Sequence, residues 1–167
     1  VGARPNTGKT SFHASMLVGP NGMARQGARC VVLCNEESYD RVAFRYIQAS
    51  TGFPKEKIQA NIHEAKRIYQ DVTKNVKIKD VSGEDMSWVE TMCKSERPDI
   101  VVLDMGDKFA SGTYSRPDEQ LKANAIYARQ IAKTYGCAVF YMSQLSAEAE
   151  GRQVLNQAMM EGSRTGK

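Results

Sequence analysis

The sequence has little that would mark a membrane protein or a disulfide-linked one. No apolar run in its 167 residues approaches the roughly 18 residues that a membrane-spanning helix needs. None of its four cysteines belongs to a C-x-x-C pair, and each lies in or near an apolar stretch. We therefore expect no membrane partner, and we interpret the cysteines as buried, reduced thiols of a cytosol-like compartment. They are Cys30, Cys34, Cys93 and Cys137.

The sequence also lacks a strong charge of either sign and any low-complexity tract. It has 23 lysines and arginines against 19 aspartates and glutamates, which gives a formal net charge of +4. That balance is compatible with a polyanionic partner without indicating one. Hydrophobic residues at 41% and charged residues at 25% are typical of a globular protein, and the length fits one domain.

Short apolar runs predict the strands of a parallel sheet. Residues 30–34, 100–103 and 137–142 are apolar without alternation, which is typical of strands covered on both faces. Residues 76–81 alternate, and we expect this fourth strand to be more exposed. Helical patterns separate the runs, so the sequence predicts an α/β fold: a mostly parallel, twisted sheet with helices on both faces.

The helices are predicted from apolar spacing and from their breaks. Residues 39–49, 57–72, 85–94 and 121–135 have helical spacing, and Gly136 is a stop signal for the last of them. The run Gly-Pro-Asn-Gly at 19–22 interrupts the first helix, where we expect a break or an inserted turn.

Residues 3–10, A-R-P-N-T-G-K-T, form the pattern of a phosphate loop in which Ala3 replaces the usual first glycine. Backbone N–H groups and a helix N-terminus in such a loop hold phosphates. Lys9 is predicted to reach the outer two phosphates, and the Thr10 hydroxyl to hold Mg²⁺. We expect ATP or another nucleoside triphosphate to contact Ala3, Arg4, Pro5, Asn6, Thr7, Gly8, Lys9, Thr10 and Ser11.

Acidic residues follow two of the predicted strands. Asp104 comes directly after an apolar run, where a nucleotide hydrolase has the carboxylate that positions Mg²⁺. Glu36 and Glu37 follow the strand after the phosphate loop, and a glutamate there can orient and deprotonate the attacking water. We choose Glu36 as the catalytic base and keep Glu37 as its rival.

Gln144 follows the last predicted strand within the run Ser-Gln-Leu. Its amide could contact the γ-phosphate and report its presence to the following loop. By contrast, His13 and His63 have no acidic or thiol companion at ligand spacing, so we interpret neither as a metal ligand.

These signals, in this order, resemble the RecA-like motor domain of DnaB-type hexameric replicative DNA helicases, including phage primase-helicases. The resemblance rests on G-A-R-P-N-T-G-K-T-S-F at 2–12, N-E-E-S at 35–38, S-Q-L at 143–145 and M-E-G-S-R-T-G at 160–166. The segment Met-Gly-Asp-Lys at 105–108 departs from the apolar and aromatic run common in the bacterial enzymes.

The resemblance implies a motor that hydrolyses nucleotide between the subunits of a ring, a hexameric homo-oligomer, and translocates on single-stranded DNA. It implies nucleotide and Mg²⁺ contacts for Lys9 and Thr10, Mg²⁺ for Asp104, catalysis by Glu36 and γ-phosphate sensing by Gln144. It implies DNA contacts in the loop after the last strand, where Arg152 is the only early basic residue.

The resemblance also bears on partners, location and completeness. A primase is a possible partner, and the location would be the cytoplasm of a bacterial or phage-infected cell. We expect residues 1–167 to be one motor domain truncated at both ends, because Val1 would end the strand before the loop. Arg164 lies too early to be the arginine that reaches a neighbouring subunit's nucleotide.

Two other functions remain open. One is a RecA-type or KaiC-type ATPase, a recombinase or switch that does not unwind duplex. The other is a nucleotide-binding assembly module that does not hydrolyse its nucleotide.

Overall fold

The computed structural model of the chain describes residues 1–4, 6–110 and 117–145. Its strands are β1 (Gly2–Ala3), β2 (Cys30–Cys34), β3 (Val76–Asp80), β4 (Ile100–Asp104), β5 (Ala138–Tyr141) and β6 (Ser143–Gln144). Its helices are α1 (Lys9–Val18), α2 (Tyr39–Thr51), α3 (Lys55–Ala60), α4 (Ile62–Thr73), α5 (Met86–Glu96) and α6 (Pro117–Tyr135), and a 3-10 turn covers Gly106–Lys108.

All described strand pairs are parallel, and the order is β3-β2-β4-β5, with β1 paired to β6. The Met142 N–H donates to the Leu103 carbonyl of β4, whereas the next N–H, that of Ser143, donates to the carbonyl of Val1. Successive N–H groups of an extended chain point to opposite sides. The segment from β5 to β6 therefore lies between β4 and β1, and the predicted parallel α/β fold is confirmed.

Helices cover both faces of this sheet. On one face, Val32 of β2 and Val102 of β4 pack with buried residues of α1, α2 and α4. On the other face, Val31 and Leu33 pack with residues of α5 and α6. Every residue of β2 and β4 is buried, which explains why their sequences are apolar without alternation.

Three sequence predictions need correction. The predicted strand 137–142 is divided, since pairing passes from β4 to β1 at Met142. In β5, Ala138 is exposed and the other residues are half-buried, so the prediction of full burial was wrong there. The predicted helix 57–72 begins at Lys55 and breaks at Asn61, whose φ of −132° and ψ of 50° lie outside the helical region.

The Gly-Pro-Asn-Gly run ends α1, as predicted, and the Arg25 side chain donates hydrogen bonds to the last carbonyls of that helix. The Arg25 guanidinium donates from Nε to the carbonyls of Val18 (3.1 Å) and Gly19 (2.9 Å). It also donates from Nη2 to the Ser50 carbonyl near the end of α2, at 2.7 Å. These bonds satisfy carbonyls that the helix leaves without partners and tie α1 to α2.

The four cysteines are free and buried, as predicted. None of the helices in the described ranges is long and apolar enough to cross a membrane.

Asp99 should titrate far below an ordinary aspartate. The Arg29 side chain donates to both Asp99 oxygens, from Nε at 3.1 Å and from Nη2 at 3.0 Å, and the Arg29 N–H adds a bond of 2.8 Å. These bonds lower the pKa of Asp99 from 3.8 to about 2. Because the folded pKa is depressed, the stabilisation is present above the ordinary pKa and is lost as the pH falls towards 2.

Carboxyl-carbon NMR titration should give an Asp99 midpoint near 2 in the parent and a higher midpoint in Arg29→Ala. A parent midpoint near 3.8 would contradict the pairing. High salt should also raise the midpoint, since the pair is exposed to solvent.

Candidate nucleotide-binding site

The loop between β1 and α1 is curved so that its backbone encloses open space. The Thr7 hydroxyl donates to the Arg4 carbonyl at 2.6 Å, which closes the turn. Asn6 has a φ of 59° and Gly8 a φ of 95°, both in the left-handed region that glycine tolerates best. A Cβ built on Gly8 would meet nothing within 4 Å, so the loop leaves room for a ligand beside its backbone.

The helix that follows supplies the donors of an anion site. α1 begins at Lys9, no side chain caps its N-terminus, and its first turn has no acidic residue. The first N–H groups of a helix have no partner within the helix and carry the positive end of its dipole. The combination of this terminus, the open loop and the Lys9 ammonium suits a chain of phosphates.

A cleft of about 280 Å³ joins this loop to the end of β2. It is lined on one side by the loop and the start of α1, and on the other by Glu36, Glu37 and Arg45. The loop-side residues are Asn6, Gly8, Lys9, Thr10 and Ser11. The structure therefore brings most of the predicted phosphate-binding residues together with both candidate bases. The loop and the two glutamates are about 25 residues apart in sequence.

The two candidate glutamates differ in their surroundings. Glu37 Oε2 lies 3.5 Å from Arg45 Nε, and the side chain of Glu37 is 27% exposed. Glu36 is exposed and has no hydrogen bond or ion pair within the described ranges. The Glu37 carboxylate is thus engaged by the Arg45 guanidinium, whereas the Glu36 carboxylate has no side-chain partner among the described residues.

Asp104 ends β4 at the same edge of the sheet, but it is not among the residues that line the cleft. It is 3% exposed, and its Oδ2 lies 3.6 Å from Nε2 of His13 on α1. Sequence spacing gave no signal for this contact, because the two residues are far apart in sequence. The interpretation of His13 therefore missed an acidic neighbour.

Gln144 lies beside the start of the phosphate loop, since β6 pairs with β1 in the register Ala3 to Gln144. Its N–H donates to Asp107 Oδ2 at 3.4 Å, and the Ser143 hydroxyl donates to the same oxygen at 3.4 Å. Gln144 is not among the cleft-lining residues either. The register therefore puts Gln144 next to Ala3, at the start of the phosphate loop.

Asp107 is a site residue that the sequence patterns did not single out. Burial raises the pKa of its carboxyl, while the positive charges of Lys108 and Lys9 oppose that rise. The Asp107 carboxyl thus connects the segment after β4 with β6, the strand of Gln144. The available signal was the departure of residues 105–108 from the family pattern.

The backbone after Asp104 turns sharply, because Met105 has a φ of 66°. Asn35 Nδ2 donates to the Met105 carbonyl at 3.1 Å, and Asn124 Nδ2 donates to the carbonyl of Gly106 at 3.1 Å. A Cβ on Gly106 would lie 2.5 Å from the Tyr141 ring. Packing against that ring therefore requires glycine at this position.

Gly106→Ala should destabilise the fold, since the ring of Tyr141 must move to admit a methyl group. We expect a loss of about 1–3 kcal/mol in the free energy of unfolding, which is usual for overpacking. Urea unfolding followed by circular dichroism measures it. An unchanged midpoint with an unchanged slope would show that the ring moves freely and would contradict this packing.

The site suits Mg²⁺ bound with a nucleotide better than a metal bound by protein alone. The described residues contain no group of three or more His, Cys, Asp or Glu side chains that could hold a metal ion. Mg²⁺ in nucleotide sites takes one or two protein ligands, phosphate oxygens and water. The Thr10 hydroxyl and the Asp104 carboxylate would meet that need.

Pro5, predicted to contact nucleotide, and Arg152, predicted to contact DNA, lie outside the described residues.

A parallel sheet with helices on both faces and a phosphate loop leading from β1 into α1 defines a P-loop domain of the RecA-like type. The chain belongs to the family of DnaB-like helicase C-terminal domains, whose model matches residues 1–161. The resemblance to DnaB-type helicases that the sequence motifs indicated is confirmed by this match. No curated protein sequence matches the chain significantly.

Solved structures have the same fold. One of them, described as an ATPase domain, superposes with a TM-score of 0.80 at 19% identity, over 97% of this chain and 62% of that one. A DnaB-like replicative helicase, described with its interactions with primase, gives a TM-score of 0.76 at 20% identity, over 98% of this chain and 42% of that one. The chain thus spans less than two thirds of the length of these proteins.

Proposed function

We propose that the chain is the ATP-dependent motor of a replicative DNA helicase, which hydrolyses nucleoside triphosphate to move on single-stranded DNA. The observation that carries the proposal is the cleft that Lys9 and Thr10 line together with Glu36 and Glu37. Membership of the DnaB-like helicase family supports it.

In this proposal, the loop N–H groups and the Lys9 ammonium bind the phosphates and stabilise the charge that develops on them. Glu36 orients a water and takes its proton as the water oxygen attacks the γ-phosphorus. The bond from that phosphorus to the bridging oxygen breaks, and the diphosphate and inorganic phosphate remain. Mg²⁺, held by Thr10 and Asp104, would neutralise phosphate charge.

Two residues near the phosphate loop would respond to the nucleotide: Gln144 on β6 and Asp107 in the 3-10 turn after β4. Gln144 is proposed to read the γ-phosphate through its amide, and Asp107 to hold its strand to the segment after β4. Arg152 is proposed to contact DNA. A hexameric ring of this chain's protein, with nucleotide between subunits and a primase as partner, completes the proposal.

The proposal is tested by measuring nucleotide hydrolysis with and without single-stranded DNA, and unwinding of a forked duplex, on the protein that contains this domain. We expect hydrolysis that single-stranded DNA stimulates and unwinding that needs the triphosphate. DNA-stimulated hydrolysis with strand exchange and no unwinding would favour a recombinase. Nucleotide binding without hydrolysis, even with DNA, would favour an assembly module.

A further inference from the structure

His13 is a fully buried histidine that faces the carboxylate of the proposed metal site. The His13 ring is 0% exposed, and its Nε2 lies 3.6 Å from Oδ2 of Asp104, which is 3% exposed. No hydrogen bond satisfies this Nε2 within the described ranges. A buried N–H without a partner is costly, so an approach of the ring to the carboxylate would be favourable.

The partner of Nδ1 determines which nitrogen of the His13 ring carries the proton. The Tyr46 hydroxyl lies 2.8 Å from His13 Nδ1. Burial raises the pKa of Tyr46 well above its ordinary value, so this hydroxyl keeps its proton and can donate it. Nδ1 is then the acceptor, and a ring proton resides on Nε2, the nitrogen that faces Asp104.

His13 also neighbours both proposed Mg²⁺ ligands, Thr10 and Asp104. His13 follows Thr10 by three residues on α1, so both side chains lie on one side of that helix. Tyr46 belongs to α2, and Asp104 ends β4. The buried His13 ring is therefore close to groups from α1, α2 and β4.

We propose that His13 is a positioning residue: its Nε2–H donates to Asp104 Oδ2 and orients the carboxylate for Mg²⁺, while Tyr46 fixes the tautomer. The inference rests on the proposed function, since it concerns the Mg²⁺ of that site. The distance of 3.6 Å exceeds a hydrogen bond, and hydrogen bonds of catalytic sites often shorten when the ligand binds.

Two substitutions separate the two nitrogens. The amide nitrogen of glutamine reaches roughly where Nε2 lies, and that of asparagine roughly where Nδ1 lies. His13→Gln should therefore keep a donor to Asp104, whereas His13→Asn and His13→Ala remove it. The readout is the Mg²⁺ concentration that half-restores binding of a fluorescent, non-hydrolysable ATP analogue, with binding in EDTA as the reference.

We expect this Mg²⁺ concentration to rise about tenfold in His13→Ala and His13→Asn, the effect of losing one hydrogen bond to a charged group. His13→Gln should stay within about twofold of the parent, since its donor to the charged group remains. Binding in EDTA should not change in any variant. His63→Ala, at the exposed histidine of α4, is the matched control and should behave as the parent.

Folded Ala and Asn variants with the parent's Mg²⁺ dependence would overturn the positioning role and leave the proposed function standing. Loss of binding in EDTA by the same factor would also overturn it, because the effect would then be structural. A parent that binds the analogue without any Mg²⁺ dependence would contradict the proposed function and this inference with it.

A measurement on the parent does not depend on whether variants fold. Nitrogen-15 NMR of the imidazole should show a proton on Nε2 of His13, and Mg²⁺ with the ATP analogue should shift that nitrogen. Tyr46→Phe should weaken the preference for this tautomer. A proton on Nδ1 in the parent would overturn the proposal.

Discussion

Lys9→Ala should weaken nucleotide binding and should slow hydrolysis even at saturating nucleotide. Lys9 lines the cleft at the first residue of α1, where its ammonium adds a full charge to the N–H groups of the helix terminus. A hydrogen bond to a charged group contributes about 1.5–3 kcal/mol, so loss of contacts to two phosphates, about 3–6 kcal/mol, should weaken binding by at least about 100-fold. Hydrolysis should fall by about 100- to 1,000-fold at saturating nucleotide, since transition-state charge also loses its partner.

The measurement is titration with a fluorescent nucleotide followed by phosphate release. Lys66→Ala is the control, because Lys66 is an exposed lysine of α4. Its variant should match the parent in both assays. Parent-like binding in a folded Lys9→Ala would show that the phosphates do not use this loop.

Glu36→Gln should separate binding from hydrolysis. The substitution keeps the size of the side chain and removes its ability to take a proton, so the rate of phosphate release should fall about 100- to 10,000-fold. Nucleotide affinity should be unchanged or higher, since a negative charge that faces the phosphates is lost. Single-turnover hydrolysis with bound nucleotide measures the step directly.

Glu37→Gln is the matched control at the next position. This change disrupts the ion pair with Arg45, whose distance is 3.5 Å, and a partly exposed pair contributes little. We expect its hydrolysis rate to stay within about fivefold of the parent, the effect of an ion pair worth under about 1 kcal/mol. If Glu37→Gln loses hydrolysis and Glu36→Gln does not, the base is Glu37 and the assignment to Glu36 is wrong.

The fold could be predicted from local patterns because its inner strands are buried on both faces. β2 and β4 have uninterrupted apolar sequences, and an acidic residue closely follows or ends each run. The division of residues 137–142 could not be predicted. It depends on β1, a strand of two residues whose pairing with β6 involves positions more than 140 residues apart.

The site could be predicted where a motif is continuous in sequence, and not where it depends on packing. The phosphate loop has a sequence pattern of its own, and Glu36 follows an apolar strand, so the sequence alone was enough to propose both. The contact of His13 with Asp104 was not, because it requires α1 to lie against β4. Asp107 could not be predicted, because burial of a carboxyl in the turn after a strand has no sequence pattern of its own.

The most direct test is a structure of the protein with Mg²⁺ and a non-hydrolysable ATP analogue. We expect phosphates against the N–H groups of residues 6–11 and the Lys9 ammonium. We also expect Mg²⁺ beside Thr10 on the side of Asp104, with Glu36 facing the γ-phosphate. Phosphates bound away from this loop, or a γ-phosphate that neither Glu36 nor Glu37 faces, would contradict the proposed motor site.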